Sequence, residues 1–153
     1  MTHPTADAAQ QVSRTVEVQA PAAELFELLA DPRRHGEVDG SGTVLDAVKA
    51  PQRLSQGASF SVGMKQYGVP YRITSKVTQF ADGKVIEWRH PMGHRWRWEF
   101  APLTGSSTRV TETFDYSRVP GVVARMFGLF GVPKQNADGI EKTLSGLQAR
   151  SRR

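Results

Sequence analysis

Hydrophobic and polar residues alternate along much of the chain, and a period of two predicts β-strands. The first alternating segment carries on one parity Val12, Arg14, Val16 and Val18. The same alternation recurs in six later segments, residues 43–48, 58–64, 71–80, 84–90, 95–100 and 108–116. The links between them contain turn residues and are too short for a crossover helix. The pattern therefore predicts an antiparallel sheet of about seven strands.

Helical periodicity first appears directly after the opening strand. Residues 20–24 have the composition of a helix start, because a proline is tolerated in the first turn and a glutamate there favours the helix dipole. The buried side is predicted to consist of Leu25, Phe26, Leu28 and Leu29. Since the residue before a proline disfavours helix, this helix should end by Asp31, with one further short helical stretch possible before the second strand.

A second helical region follows the strands. An apolar stripe with spacings of three and four is formed by Ala137, Ile140, Leu144 and Leu147, which predicts a long amphipathic C-terminal helix. A break is expected at residues 131–133, where glycine and proline interrupt the apolar positions. The predicted fold class is therefore α+β, with a curved sheet wrapped around the C-terminal helix. A wedge between the two is where a ligand would lie.

Composition limits the classes of protein to which the chain can belong. A length of 153 residues is typical of one domain, and 39% hydrophobic residues with 23% charged residues indicate a globular fold. We expect a disordered N-terminus at residues 1–10, one domain at 11–149 and a basic tail at 150–153. The sequence has no cysteine, which excludes disulfides and thiolate chemistry.

The net charge of +5 alone does not indicate a nucleic-acid partner. Three of the cations, Arg150, Arg152 and Arg153, belong to the tail, and the others are spread among acidic residues. No nucleic acid is therefore expected. The sequence contains no apolar run long enough to span a bilayer and starts without a signal-like segment, which favours a cytoplasmic location.

Three stretches of the chain resemble one family of known proteins. They are VSRTVEVQAPAAELFELLADPRR, YRITSKVTQFADGKVIEWR and STRVTETFDY, to which the closing amphipathic helix is added. With them the chain resembles the SRPBCC, or START-like, helix-grip superfamily and its polyketide cyclase/dehydrase and lipid-transport group. This resemblance implies a helix-grip fold that binds apolar molecules, and in some members an enzyme. Residues 34–40 lack the tryptophan that many relatives carry there, which leaves the ligand class open.

Aromatic residues on one parity of the predicted strands are the main candidates for binding a ligand. If that parity faces the wedge, they form a broad apolar wall, whereas the alternative is ordinary core packing. On the C-terminal side, Met126 and Phe130 are expected to contact the ligand, and the alternative there is docking of this apolar surface on a membrane. The predicted ligand-binding residues are Phe60, Met64, Tyr71, Trp88, Trp96, Trp98, Phe100, Phe114, Met126 and Phe130.

Glu112 is the candidate catalytic residue. It shares the parity of Val110 and Phe114, so an inward strand face would place a carboxylate among apolar groups and raise its pKa. The alternatives are a pair with Arg97 or another arginine, or a strand that faces the other way. Arg95, Arg97 and Glu99 have the opposite parity to Trp96 and Trp98 and are expected to form a solvated outer face.

No motif points to a cofactor or a metal. His90 and His94 flank the turn Pro91-Met92-Gly93, but two imidazoles without a third ligand are weak grounds for zinc. They are interpreted as turn residues or as polar groups at the cavity entrance. The nucleotide-binding, serine-hydrolase and zinc-protease motifs are missing from the sequence.

Three functions fit these observations, in descending order. The first is binding, and with it carriage, of a small apolar molecule such as a lipid, an isoprenoid or a polyketide-like aromatic. The second is a cyclase or dehydratase that uses Glu112 as acid or base. The third is a protein-interaction domain with a vestigial cavity. The sequence leaves open peripheral membrane contact, and both a monomer and a homodimer are compatible with it.

Overall fold

The protein is described by a computed structural model that covers residues 2–4, 10–40 and 44–151. In this part of the chain eight strands form one antiparallel sheet in the order β1-β2-β8-β7-β6-β5-β4-β3. The strands are β1 (Thr2–Pro4), β2 (Gln11–Val18), β3 (Val44–Lys49), β4 (Ser59–Gln66), β5 (Val69–Ala81), β6 (Val85–Arg89), β7 (Arg95–Thr104) and β8 (Ser107–Asp115). The strands from β3 to β8 follow each other as a meander, as the short links predict.

The N-terminus differs from the expectation of disorder over residues 1–10. Thr2–Pro4 forms a short strand that pairs with β2, and this strand raises the number from about seven to eight. Residues 1 and 5–9 of the same segment lie outside the described residues. A three-residue strand carries too little alternation to be recognised in a sequence.

The helices follow the predicted breaks. Helix α1 (Ala22–Ala30) begins after Pro21 and ends before Asp31, and a turn of 3-10 helix at Pro32–Arg34 leads into the short α2 (His35–Val38). At the C-terminal end, α3 (Gly121–Leu129) and α4 (Val132–Ser151) are separated at Gly131, whose φ of +67° favours glycine. The break expected at residues 131–133 is therefore confirmed.

The sheet has an inner face, which carries the helices, and an outer face. Helix α4 packs chiefly on β2 and β8 through the predicted apolar stripe, and α1 packs on β6 and β7. In β7 and β8 the inner parity carries Trp96, Trp98, Phe100, Val110, Glu112 and Phe114. The structure thereby resolves which parity faces the helices, and this gives an α+β helix-grip architecture.

The outer face is less solvated than expected. Glu87 of β6 is only 1% exposed, because Arg95 and Arg97 from β7 cover it and bind its two carboxylate oxygens at 3.2 and 3.1 Å. The Thr78 hydroxyl donates to the same carboxylate at 2.8 Å. Of the residues expected on a solvated face, Glu99 is exposed, whereas the two arginines are half-buried. The alternation indicates the face of the sheet but not the ion pairs that form across it.

Candidate functional site

The candidate site is a groove on the inner face of the sheet. Helix α4 covers β2 and β8, and α1 covers the far end of β6 and β7, so the inner side chains between these helices keep part of their surface accessible. Trp88, Trp96, Met64 and Tyr71 are in this position, with Tyr71 the most exposed of the four. The four predicted ligand-binding residues therefore lie where a ligand could reach them.

Aromatic rings form the floor of the groove. Trp96 lies 5.0 Å from the Phe114 ring, and Phe114 stacks with Tyr116 at 5.4 Å. At the other side, Phe60 contacts the Trp88 ring edge-on at 5.6 Å. Rings at these distances form a continuous apolar surface suited to a flat or elongated ligand. Tyr116 was not among the residues predicted to bind a ligand, although it continues the parity of Phe114.

Two of the predicted residues lie in the core instead of in the open groove. Trp98 and Phe100 are almost fully buried and stack with each other at 6.3 Å, and Phe100 contacts Phe26 of α1 at 5.7 Å. Helix α1 covers this end of the sheet. The core-packing alternative therefore describes these two residues, because the same strand parity passes from the groove into the covered region.

Glu112 lies on the inner face and is 7% exposed. Its neighbours across the sheet are Arg14 on β2 and Trp98 on β7. The Arg14 guanidinium instead contacts Glu141 of α4 at 3.4 Å, and Arg97, on the opposite face, binds Glu87. The Oε1 atom of Glu112 is buried and has no hydrogen-bond partner among the described residues. Burial, and next the negative charge of Asp39, raise the pKa of Glu112 well above its usual value.

Asp39 is held near Glu112 by the close packing of Gly40 against α4. The Gly40 N–H donates to Thr143 Oγ1 at 2.8 Å. A Cβ atom at Gly40 would lie 2.6 Å from backbone atoms of Lys142 and Thr143, so this approach requires glycine. The neutral form of Glu112 is thus favoured by the way the segment after α2 crosses α4. At neutral pH it presents a carboxylic acid, which both donates and accepts hydrogen bonds.

His94 is the second inner polar group with an unpaired atom. Its ring stacks on His90 at 4.1 Å and contacts Phe114 and Phe127 edge-on at 5.3 and 5.5 Å. Its Nδ1 is buried without a partner among the described residues. Burial lowers the pKa of His94 to about 3, with a contribution from His90, and lowers the pKa of His90 to about 4. Both imidazoles are therefore neutral at pH 7, and His94 is more deeply placed than a turn residue.

His35 is a site residue that the sequence analysis missed. It is buried, its ring stacks on Trp88 at 4.9 Å, and its Nε2 donates to the Leu29 carbonyl at 2.8 Å. Burial lowers its pKa, which favours the neutral ring. His35 therefore fixes the orientation of an aromatic ring in the groove. It stands in a polar stretch without periodicity, so no sequence signal distinguishes it from a loop residue.

Met126 and Phe130 do not line the groove as expected. They lie on the outward side of α3, where Phe130 is 73% exposed. The inward position of this helix is taken by Phe127, which packs on His94, Phe114 and Tyr116. Because α3 is apolar on both sides, its sequence does not indicate which side packs against the sheet.

The surface outside the groove shows two shallow depressions. One, of about 300 Å³, lies on the outer face of the sheet near Glu99 and Arg109, and the other, of about 410 Å³, lies beside Glu141 and Lys142 on α4. Neither includes the aromatic groove. Among the described residues no three His, Asp or Glu side chains are grouped so as to hold a metal ion. No described helix has the length and hydropathy needed to cross a bilayer.

Comparison with known proteins agrees with this arrangement. Residues 9–152 match the profile of the family described as polyketide cyclase / dehydrase and lipid transport. The chain belongs to this family. An uncharacterised protein of Mycobacterium tuberculosis strain H37Rv, Rv0088, is 54% identical over 139 residues, which cover 90% of the present chain and 62% of that protein. The chain thus spans less than two thirds of the length of this relative.

Solved structures of the cyclase and lipid-transport type share the fold at low sequence identity. A START superfamily protein from Mycobacterium smegmatis has a TM-score of 0.69 and 18% identity over 94% of this chain and 98% of that one. The di-domain aromatase/cyclase BexL of the BE-7585A biosynthetic pathway has a TM-score of 0.70 and 15% identity, covering 92% of this chain and 46% of BexL. At these identities the likeness establishes the helix-grip architecture.

Proposed function

We propose that this family member binds, and carries, a small apolar molecule in the groove between the inner face of the sheet and α4. The observation that carries the proposal is the partial exposure of inward-facing aromatic side chains next to a fully packed core. Trp88 and Trp96 keep accessible surface, whereas Trp98, on the same sheet face, is buried. Exposing an indole on a concave face costs hydrophobic free energy that a bound apolar molecule would recover.

The polar groups of the groove support a ligand that also has oxygen atoms. A neutral Glu112 offers a hydroxyl donor, and the unpaired His94 Nδ1 offers an acceptor, since both atoms are buried. In register, Glu112 is level with Trp98 and Phe114 with Trp96, while His94 precedes the start of β7. Four residues of strand separate the two polar levels, which is about 13 Å. Polyketide-like aromatics, isoprenoids with a hydroxyl group and lipids fit this combination.

Native mass spectrometry of the protein purified from its own host tests the proposal. We expect a stoichiometric apolar molecule that organic solvent releases. Refilling the emptied protein should quench tryptophan fluorescence, and Trp96→Ala should weaken binding about tenfold or more, since large aromatic contacts dominate such sites. The control is Glu99→Gln on the outer face, which should bind normally. An empty protein whose fluorescence responds to none of a panel of lipids and aromatic polyketides would contradict the proposal and favour an interaction domain.

A cyclase or dehydratase activity is the second candidate, and the raised pKa of Glu112 is the observation in its favour. In a dehydration, the protonated carboxyl would give its proton to a substrate hydroxyl as the C–O bond breaks. The resulting carboxylate would take a proton from the adjacent carbon as the double bond forms, which releases water and restores the neutral acid. Glu112→Gln should then abolish turnover of a bound β-hydroxy ketone and retain binding. Unchanged turnover in this variant would exclude Glu112 as the catalytic acid.

A further inference from the structure

Helix α3 has a second apolar face, which points away from the protein. Its inward side is occupied by Phe127, as described above. On the opposite side Val122, Leu129 and Phe130 are 76%, 78% and 73% exposed, and Met126 is 41% exposed. The spacing of four, three and one residues places these side chains on one face of a helix. Exposed apolar side chains gathered on a single face indicate an interaction surface.

The charges around this face are all positive. Between Ser117 and Ala137 the sequence contains Arg118, Arg125 and Lys134 and no acidic residue. None of these three cations forms an ion pair with a residue that the structure describes. Arg125 is exposed and lies one residue before Met126, so a cation borders the apolar side chains directly. An amphipathic helix with this pattern complements an anionic lipid surface.

We infer that α3 docks the protein on an anionic membrane surface through Val122, Met126, Leu129 and Phe130. The exposed apolar area of these four side chains is roughly 500 Å², less than the ~800 Å² that each partner of a stable protein complex usually contributes. A lipid surface requires no matching partner shape, and a small apolar face with flanking cations suffices for reversible binding. Area and charge thus favour a membrane over a second copy of the chain.

Docking through α3 would bring one end of the groove to the membrane surface. Phe127, on the inward side of the same helix, contacts His94 at 5.5 Å. The His90–His94 turn also packs beside the start of α3, since a Cβ atom at Gly93 would lie 3.5 Å from Val119 Cα. Met92 in this turn is among the exposed large hydrophobic residues. The docked helix would therefore adjoin the His94 end of the aromatic floor, where an apolar ligand could pass between groove and bilayer.

Vesicle flotation of the full chain tests this inference. The probes are vesicles of phosphatidylcholine alone and of phosphatidylcholine mixed with phosphatidylglycerol. We expect the wild type to float with the mixed vesicles only, and the paired substitution Leu129→Glu, Phe130→Glu to lower the bound fraction at least about tenfold. Arg125→Gln should weaken binding about fivefold, and added salt should weaken the wild type as well. The matched control is Leu103→Glu, an exposed leucine at the far end of β7, which should float as the wild type does.

Circular dichroism and the oligomeric state complete the experiment. Variants with the wild-type spectrum are compared, and Arg125→Gln, a substitution at an exposed position, tests the inference even if the double variant misfolds. Absence of wild-type binding to mixed vesicles would overturn the inference, as would binding that is insensitive to both the double variant and Arg125→Gln. A wild-type dimer that the double variant converts to monomer, without vesicle binding, would assign the face to a second copy and also overturn it.

Discussion

The two faces of the sheet treat a buried glutamate in opposite ways. On the outer face, Glu87 is bound by Arg95, Arg97 and the Thr78 hydroxyl. On the inner face, Glu112 is also buried, but its Oε1 has no partner among the described residues. The nearest charge named above, that of Asp39, has the same sign. Burial alone therefore does not distinguish the two carboxyl groups, whereas their partners do.

The difference separates a structural carboxylate from a candidate functional one. A buried charge is tolerated when ion pairs and hydrogen bonds replace its hydration, as around Glu87. An unpaired acid instead takes up a proton, which leaves Glu112 a neutral hydrogen-bonding group. A ligand oxygen would complete the hydrogen bonds that the protein leaves open on the inner face. Folding alone supplies no such requirement, so the unpaired group supports the binding proposal.

Glu87→Gln should cause the largest loss of stability. The amide cannot neutralise two half-buried guanidinium groups, and breaking a buried ion pair on one side costs about 3 kcal/mol in free energy of unfolding. Urea unfolding followed by tryptophan fluorescence measures this loss. A loss below about 1 kcal/mol would show that the outer network is solvated despite the 1% exposure of Glu87, and the comparison of the two faces would then fail.

Glu112→Gln should change the pH dependence of stability in the opposite sense. Because the folded pKa of Glu112 lies above its ordinary value of 4.5, its stabilising contribution is complete below pH 4.5 and is lost as the pH rises toward the folded pKa. The variant lacks this loss. Its stability relative to the wild type should therefore increase above pH 4.5 by about 1.4 kcal/mol for each unit of upward shift. A difference that stays constant from pH 4 to pH 8 would show an ordinary carboxyl group.

His94→Phe tests the other unpaired group of the inner face. The folded pKa of His94 is about 3, below its ordinary value of 6.5, so the unfolded chain binds the proton first as the pH falls. Wild-type stability is therefore complete above pH 6.5 and is lost toward pH 3. Between pH 6.5 and 5 the wild type should lose about 1.5 kcal/mol more than the variant in urea unfolding. Imidazole NMR signals of His94 that titrate near pH 6.5 would contradict this prediction.

The sequence predicts the sheet well because each strand alternates clearly. The parity that joins Trp96, Trp98, Glu112 and Phe114 is correct, and the register pairs Trp98 with Glu112 across β7 and β8. Alternation alone does not reveal which parity is covered, or by what. Trp96 and Trp98 are equivalent in sequence, yet α1 covers the end of the sheet near Trp98 and leaves Trp96 partly accessible.

The parts that the sequence did not predict lack a periodic signal. Helix α3 has apolar residues all round, so Met126 and Phe130 were as reasonable as Phe127 for an inward position. His35 stands in a polar stretch, and only the stacking on Trp88 identifies its role. Ion pairs such as that between Arg97 and Glu87 join residues of adjacent strands, and a sequence without known register does not specify them.

Glu99→Gln should have the smallest effect and gives the comparison its sharpest control. Glu99 binds the same guanidinium as Glu87, with 3.1 Å between Arg97 Nε and Glu99 Oε1, but its side chain is 51% exposed. Water replaces an exposed partner at little cost, and Arg97 keeps Glu87, so the loss in urea unfolding should be under about 0.5 kcal/mol. If Glu99→Gln instead cost as much as Glu87→Gln, the shared arginine and not the depth of the carboxylate would determine stability. Burial would then no longer explain why an unpaired Glu112 differs from its counterpart on the outer face.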